Sequence, residues 1–334
     1  MKSYRYTVVD VFTTEALEGN ALAVFPDASD LDPATMQKIA RELNLAETAF
    51  VLPVTRKDCA ARLRIFTPAK EMAFAGHPTI GGAFVLLQEG IIPKDSKAFV
   101  VEEQIGPIPI RIDGGPRPMI WLRTPPIREG RCYDFALCAA ALGLEPQDLL
   151  PIEPQLLNAG NPTVIVATQD KAAVDRAWLD LAGLKALKGG ESDPFCVFLF
   201  TPTPEGAYSR MFAPEYGIVE DPATGSSTGP LAAYMIRHKL MSPQAGTRFV
   251  SEQGTKMGRR SFLHVEIQGE QGADGIYVGG HVTPLVEAVM TLGSITSQAG
   301  TENAGIKTAS KRHFEATRQK LSAKYHKLVK TSGN

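Results

Sequence analysis

Three fragments from the first part of this chain recur, in the same order, further along it. A duplication of this kind limits the chain to folds that one motif can build twice. Gly19-Asn20-Ala21-Leu22-Ala23-Val24 is echoed by Gly160-Asn161-Pro162-Thr163-Val164-Ile165. Arg64-Ile65-Phe66-Thr67-Pro68 is echoed by Arg210-Met211-Phe212-Ala213-Pro214. His77-Pro78-Thr79-Ile80-Gly81 is then set against Asp221-Pro222-Ala223-Thr224-Gly225. This last match needs a two-residue gap, since 13 positions separate Arg64 from His77 and 11 separate Arg210 from Asp221. Each loop leads into a helix. Two such halves facing each other would bring both loop-to-helix junctions into one cleft, and clefts between domains are favoured ligand sites. Helix N-termini carry unpaired N–H groups and a partial positive charge, so two around one pocket suit a carboxylate or another small anion. On the plainer reading, His-Pro and Asp-Pro only start helices, with Asp221 and Ser226 as capping side chains.

A chain of 334 residues is long enough for about two domains. Pro116-Arg117-Pro118 and the stretch 124–130 form the strongest break near the middle. The expected division is therefore 1–126, 127–294 and a C-terminal extension, 295–334. Short β-branched and aromatic runs predict strands at Tyr6–Phe12, Ala21–Phe25, Thr48–Leu52, Ala61–Phe66, Phe99–Glu102 and Ile108–Ile112. In the second half they fall at Thr163–Ala167, Cys196–Thr201, Tyr208–Phe212, Arg248–Ser251 and Phe262–Ile267. Helices are predicted at Pro33–Leu43, Thr79–Glu89, Tyr133–Leu142, Lys171–Leu179 and Ser226–His238. Strands cluster rather than alternate with helices, so the class is α+β and not a regular βαβ series.

Charge narrows the functional classes. The net charge is −1, which disfavours a nucleic-acid-binding body, because phosphate neutralisation needs a basic surplus. That balance hides an asymmetry: 295–334 carries +6 and the remainder −7. The extension is expected to be either a solvated, frayed terminus or a basic helix over Ser310–Lys330 that meets an acidic partner or a membrane surface. No run approaches the length of a membrane span, and the first ten residues lack the apolar core of a signal peptide. The four cysteines, Cys59, Cys132, Cys138 and Cys196, are scattered and show neither a disulfide framework nor zinc-ligand spacing. A cytoplasmic protein with reduced cysteines is the expectation.

Few residues stand out as chemical. Glu47 interrupts a small and apolar run, Asn44-Leu45-Ala46-Glu47-Thr48-Ala49-Phe50. Desolvation there would raise its pKa and make it an acid/base near neutrality; alternatively, strand alternation turns it out into water. His77, after Ala75-Gly76 in a loop opening a helix, either donates to an anion or transfers a proton, or is a capping or packing histidine. Asp221, set against it in the repeat, is on its own most often a helix cap. Gly225-Ser226-Ser227-Thr228-Gly229 matches the G-x-S-x-G elbow of serine hydrolases, with Asp274 and His281 available as partners, but the residues before it make a poor strand. No phosphate-binding glycine loop and no metal-ligand spacing among the six histidines is present, so no cofactor and no metal are expected.

Asp10-Val11-Phe12, Gly19-Asn20, Glu47, Phe66-Thr67-Pro68, Phe74-Ala75-Gly76-His77-Pro78-Thr79, Glu220-Asp221-Pro222-Ala223-Thr224-Gly225-Ser226, Glu252-Gln253-Gly254 and Met257-Gly258-Arg259 together resemble the PhzF-like isomerases of phenazine biosynthesis. The resemblance runs from about Tyr6 to about Leu285. It implies the diaminopimelate-epimerase-like fold, two similar domains each wrapping a curved sheet around a central helix. It also implies a cofactor-independent isomerase, a homodimer acting on a small-molecule carboxylate, with trans-2,3-dihydro-3-hydroxyanthranilate as the family's best-understood substrate. On this resemblance Glu47 is the general acid/base, with His77 and Asp221 assisting proton movement. Gly76, Gly225 and Ser226 bind the carboxylate, and Asn20 is a further substrate contact. The related racemases place a cysteine at each helix junction; here His77 and Asp221 are assigned to those places, which favours a single carboxylate acting on one face. The rival is a catalytically silent binding or scaffold protein on the same fold.

Overall fold

The computed structural model describes residues 1–190, 192–268 and 275–293. The basic extension and Asp274 lie outside the described residues. The first half contains strands β1 (Lys2–Val11), β2 (Asn20–Phe25), β3 (Glu47–Leu52), β4 (Ala61–Phe66), β5 (Glu71–Met72), β6 (Ala98–Glu103), β7 (Gly106–Asp113) and β8 (Met119–Arg123). Its helices are α1 (Pro33–Leu43) and α2 (Gly76–Gln88). The second half runs β9 (Arg128–Cys132), α3 (Phe135–Ala141), β10 (Gln155–Asn158), β11 (Pro162–Ala167), α4 (Lys171–Arg176), α5 (Leu181–Lys188), β12 (Cys196–Thr203) and β13 (Gly206–Ala213). It continues through β14 (Ile218–Asp221), α6 (Gly225–Arg237), β15 (Arg248–Gln253), β16 (Ser261–Ile267), β17 (Ile276–Gly280) and β18 (Val282–Leu292). No described helix is long and apolar enough to cross a membrane.

Strand pairing repeats between the halves. β2 lies parallel to β3, β4 antiparallel to β3 and parallel to β6, and β6, β7 and β8 follow antiparallel. The same sequence of senses runs through β11, β12, β13, β15, β16 and β17. The strand after each set crosses to the other: β9 pairs with β10, and β18 returns to β1. β8 and β17 then join the two sets edge to edge.

Each set curves around one helix, which explains that helix's composition. α2, Gly-His-Pro-Thr-Ile-Gly-Gly-Ala-Phe-Val-Leu-Leu-Gln, is buried on nearly every face, as a helix apolar all round must be. A Cβ on Gly81 would lie 2.6 Å from Leu22 and 2.9 Å from Val11, so the sheet closes to van der Waals contact there. Ile80 and Leu86 are completely buried, and side chains of that size stabilise the fold by roughly 1.5–3 kcal/mol each.

The structure corrects the register of the repeat. Arg64 forms a bidentate pair with Glu71 across β4 and β5, and Arg210 forms the same pair with Glu220 across β13 and β14. Glu71 therefore corresponds to Glu220, Met72 to Asp221, and Gly76-His77 to Gly225-Ser226. Both glycines open a helix, and Thr79 and Thr228 each bond back to the carbonyl four residues earlier. His77 is thus matched by Ser226, not by Asp221. The His-Pro and Asp-Pro likeness misled because the second hairpin between strand and helix is longer by three residues.

Candidate active site

The two buried helices meet at their first turns. A Cβ on Gly76 would lie 2.5 Å from the carbonyl carbon of Gly225 and from the nitrogen of Ser226, so only glycine permits the approach. Neither helix has a side-chain cap: the N-cap residues Ala75 and Thr224 make no capping bond, and Asp221 and Ser226 do not cap α6. Gly76, His77, Gly225 and Ser226 line one cavity, so two uncapped N-termini face it with partial positive charge.

Glu47, at the start of β3, lines the same cavity with His77 and Asp221. All three are more than nine-tenths buried. Glu47 does not point out into water. Its Oε2 lies 3.4 Å from His77 Nε2, too poorly aligned for a hydrogen bond, and both atoms are buried without a hydrogen-bond partner. Burial, and then the charge of Asp221, raise the Glu47 carboxyl well above the usual range. Burial lowers His77 to about 3, so the imidazole is neutral and the Glu47–His77 contact is not an ion pair.

Asp221 is held differently. Asn20 Nδ2 donates to its Oδ1 at 2.7 Å and the Thr224 hydroxyl donates to its Oδ2. Burial raises Asp221 to about 6 against those two bonds. Asn20 also donates to the Ala223 carbonyl at 3.0 Å, which fixes which end of the amide is nitrogen. His77 Nδ1 lies 3.1 Å from the same nitrogen and is therefore the acceptor. The ring proton is assigned to Nε2, facing Glu47.

Asn161 matches Asn20. Its Nδ2 donates to the Phe74 carbonyl and to Ser226 Oγ, each at 3.0 Å. Met72, Met211, Cys196, Tyr216 and Ile218 supply apolar walls. Sequence reasoning missed Asn161, although the Gly-Asn repeat pointed to it. It also missed Cys196, whose thiol lies at the cavity although no cysteine is close to either motif in sequence. Burial holds that thiol up, in its neutral form. Every predicted site residue, Asn20, Glu47, Gly76, His77, Asp221, Gly225 and Ser226, is brought to this one place. Ser227 is not: it is fully buried and its Oγ lies 2.9 Å from Thr163 Oγ1, away from any base. His281 instead approaches the Pro118 carbonyl.

Two pseudo-equivalent strand sets around buried helices, with carboxyl groups and two helix N-termini at one cavity, are the architecture of the diaminopimelate-epimerase-like α+β fold. The chain is similar in structure to a Bacillus anthracis phenazine biosynthesis protein of the PhzF family, with a TM-score of 0.77 at 24% identity over 87% of this chain and 100% of that one. In sequence it is 36% identical over 303 residues to an uncharacterized isomerase of Mesorhizobium japonicum, covering 86% of this chain and 98% of the relative. It is also 36% identical over 270 residues to trans-2,3-dihydro-3-hydroxyanthranilate isomerase of Pseudomonas aeruginosa, covering 80% and 91%. Residues 9–288 match the family described as phenazine biosynthesis-like protein, and the chain belongs to that family. It is an isomerase.

Proposed function

We propose that this isomerase moves a proton between carbons of a small unsaturated or cyclic carboxylate without a cofactor, Glu47 being the single acid/base. The observation that carries the reading is the orphaned Glu47 Oε2, buried beside two helix N-termini. The Gly76-His77 and Gly225-Ser226 turns hold the substrate carboxylate through backbone N–H groups, with the Ser226 hydroxyl beside them. Glu47, as carboxylate, takes a proton from an activated C–H. The electron pair left on carbon enters the conjugated system, and the N–H groups stabilise the developing charge. Glu47 then returns the proton to another carbon. Composition is unchanged and the double bonds have shifted. The neutral His77 imidazole donates its Nε2 proton toward the reacting region, and Asp221, kept by Asn20 and Thr224, orients the polar substituent opposite.

Trans-2,3-dihydro-3-hydroxyanthranilate, the substrate in the name of the Pseudomonas relative, meets these requirements. Incubation of wild type and Glu47→Gln with it in D₂O, followed by mass spectrometry and NMR, tests both substrate and base. Turnover with deuterium incorporation in wild type, lost in the variant, is the expected result. Turnover surviving in Glu47→Gln would overturn the mechanism; none in either protein would remove this substrate. The expected homodimer is checked separately by sedimentation.

A further inference from the structure

Glu103 is a buried carboxyl group for which the proton transfer has no use. It ends β6 beneath the first turn of α2. Its Oε1 lies 2.6 Å from the Thr79 hydroxyl. Its Oε2 is buried without a partner. The Thr79 hydroxyl also lies 2.7 Å from the Ala75 carbonyl oxygen. A hydroxyl has one proton to give. Were Glu103 ionised, that proton would face two acceptors, and one short contact would join bare oxygens in a dry site. With a proton on Glu103 every contact is matched: the acid donates to Thr79, and Thr79 donates to the Ala75 carbonyl.

The second half shows what the fold requires at this place. Ala61 and Arg62 pair with Val101 and Glu102, while Ala207 and Tyr208 pair with Ser251 and Glu252. Because Arg64 matches Arg210, Glu103 matches Gln253. Gln253 Oε1 accepts from the N–H of Thr224, the N-cap of α6, at 3.1 Å, while Glu103 contacts Thr79 in the first turn of α2. Gln253 also donates, to Thr224 Oγ1 at 3.0 Å and to the Asp221 carbonyl at 2.7 Å. It is a neutral group that accepts and donates at once, and a protonated glutamic acid is its closest counterpart.

We propose that Glu103 is a positioning residue that works as a neutral carboxylic acid, bracing the Gly76-His77 turn for an anionic ligand as Gln253 braces the Gly225-Ser226 turn. Burial lifts its carboxyl to about 8, against the Thr79 bond, and no neighbouring charge contributes. Glu102 is turned to Thr55 and Arg62, and His77 on α2 is held neutral by burial. Loss of the proton would set a negative charge under the turn that receives a carboxylate, which acts on KM more than on kcat.

Wild type, E103Q and E103A separate the possibilities in two measurements. Thermal denaturation against pH assumes nothing about the reaction. A carboxyl raised from its ordinary 4.5 to about 8 on folding subtracts stability as pH climbs through that interval, and no further above it. Wild type should therefore lose Tm relative to E103Q between about pH 5 and 8 and run parallel to it beyond. A constant difference across that window overturns the neutral acid. The kinetic arm rests on the isomerase reading. E103Q should lose the rise in KM that wild type shows above about pH 8, whereas E103A should raise KM on the order of tenfold at neutral pH with a smaller change in kcat. An alkaline rise persisting in E103Q, or a wild-type KM in E103A, overturns the positioning role. If the assumed substrate fails for all three proteins, calorimetric binding of benzoate replaces KM and the same two outcomes decide.

Discussion

Two carboxyl groups share the cavity, and their surroundings assign them different work. Asp221 accepts from Asn20 and Thr224, so its charge is supported. Glu47 Oε2 has no donor, which suits the proton transfer proposed for it. Glu47→Gln should lower turnover on the order of a thousandfold, the range set by loss of a general base, measured by steady-state kinetics. Because Glu47 must ionise before it can accept a proton, kcat/KM should rise with pH on a limb displaced well above the ordinary carboxylate range. Asp221→Asn should move that limb to lower pH, since the Asp221 charge is one cause of the shift. The same raised pKa has a stability sign. Folding favours the protonated acid, so Glu47 subtracts stability as pH rises through its elevated pKa. Glu47→Gln should therefore gain Tm over wild type at pH 8 and less at pH 5, the usual exchange of stability for function. The oddness of Glu47 was legible as a charge in an apolar run. Its isolation was not, because Asp221, Cys196 and Met211 come from the other half of the chain.

At the level of elements, the meeting of α2 and α6 brings two uncapped helix starts to one cavity, the basis of the proposed anion site. Gly76→Ala would drive a methyl into the Gly225–Ser226 peptide. The cost should be about 1–3 kcal/mol, the scale of overpacking, with turnover lost because the turns are pushed apart. Thermal denaturation beside a turnover assay checks both. Ser227→Ala, by contrast, should retain turnover, and Ser227 should resist a fluorophosphonate probe, since its hydroxyl is sealed against Thr163. Every strand predicted from β-branched and aromatic runs is present. Among those left unpredicted, β17 (Ile-Tyr-Val-Gly-Gly) and β18 (Val282–Leu292) carry such residues and were missed, whereas others lack the pattern. β5 and β14 are too short to alternate, and β9, Arg-Glu-Gly-Arg-Cys, is exposed along its length. β8 sits inside the proline-rich stretch that looked like a break, and it is the strand that joins the two halves to each other through β17. Helix α5 was overlooked although Asp180 caps it and Gly189 ends it in the left-handed region. α4 stops at Arg176 rather than Leu179 because Ala177 turns extended. The duplication was visible from its fragments, but its register was not. That register depends on which arginine pairs with which glutamate across a hairpin.

For the molecule as a whole, the site is too small for the substrate proposed for it. Its cavity holds about 30 Å³, roughly the share of one water, whereas small-molecule pockets start near 300 Å³. A ring carboxylate reaches Glu47 only if the cavity opens, and parting of the two halves would open it. An outer groove of about 310 Å³, lined by Asn20 and Pro68 among others, adjoins the cavity at Ile218. The cover there is made of two matched loops. Lys70, before β5, stands 3.9 Å from the centre of the Tyr216 ring, before β14. A Cβ on Gly217 would lie 3.4 Å from that of Ala69, close to the 3.5–4.5 Å of bridged cysteines. Lys70→Ala removes a contact of about 0.5–1 kcal/mol and should speed ligand association by roughly two- to fivefold in stopped-flow. A double variant, Ala69→Cys with Gly217→Cys, tests the motion directly, with the exposed Cys132 changed to Ser so that it cannot mispair. Position 217 has φ 85°, so the second cysteine adds a strain of roughly 1–2 kcal/mol, small beside the constraint of the bridge. Oxidised, this protein should bind no substrate and show no turnover, and dithiothreitol should restore both. Full activity in the oxidised form would mean that substrate reaches Glu47 without the loops separating, and the cavity would then have to enlarge by movement of its own walls.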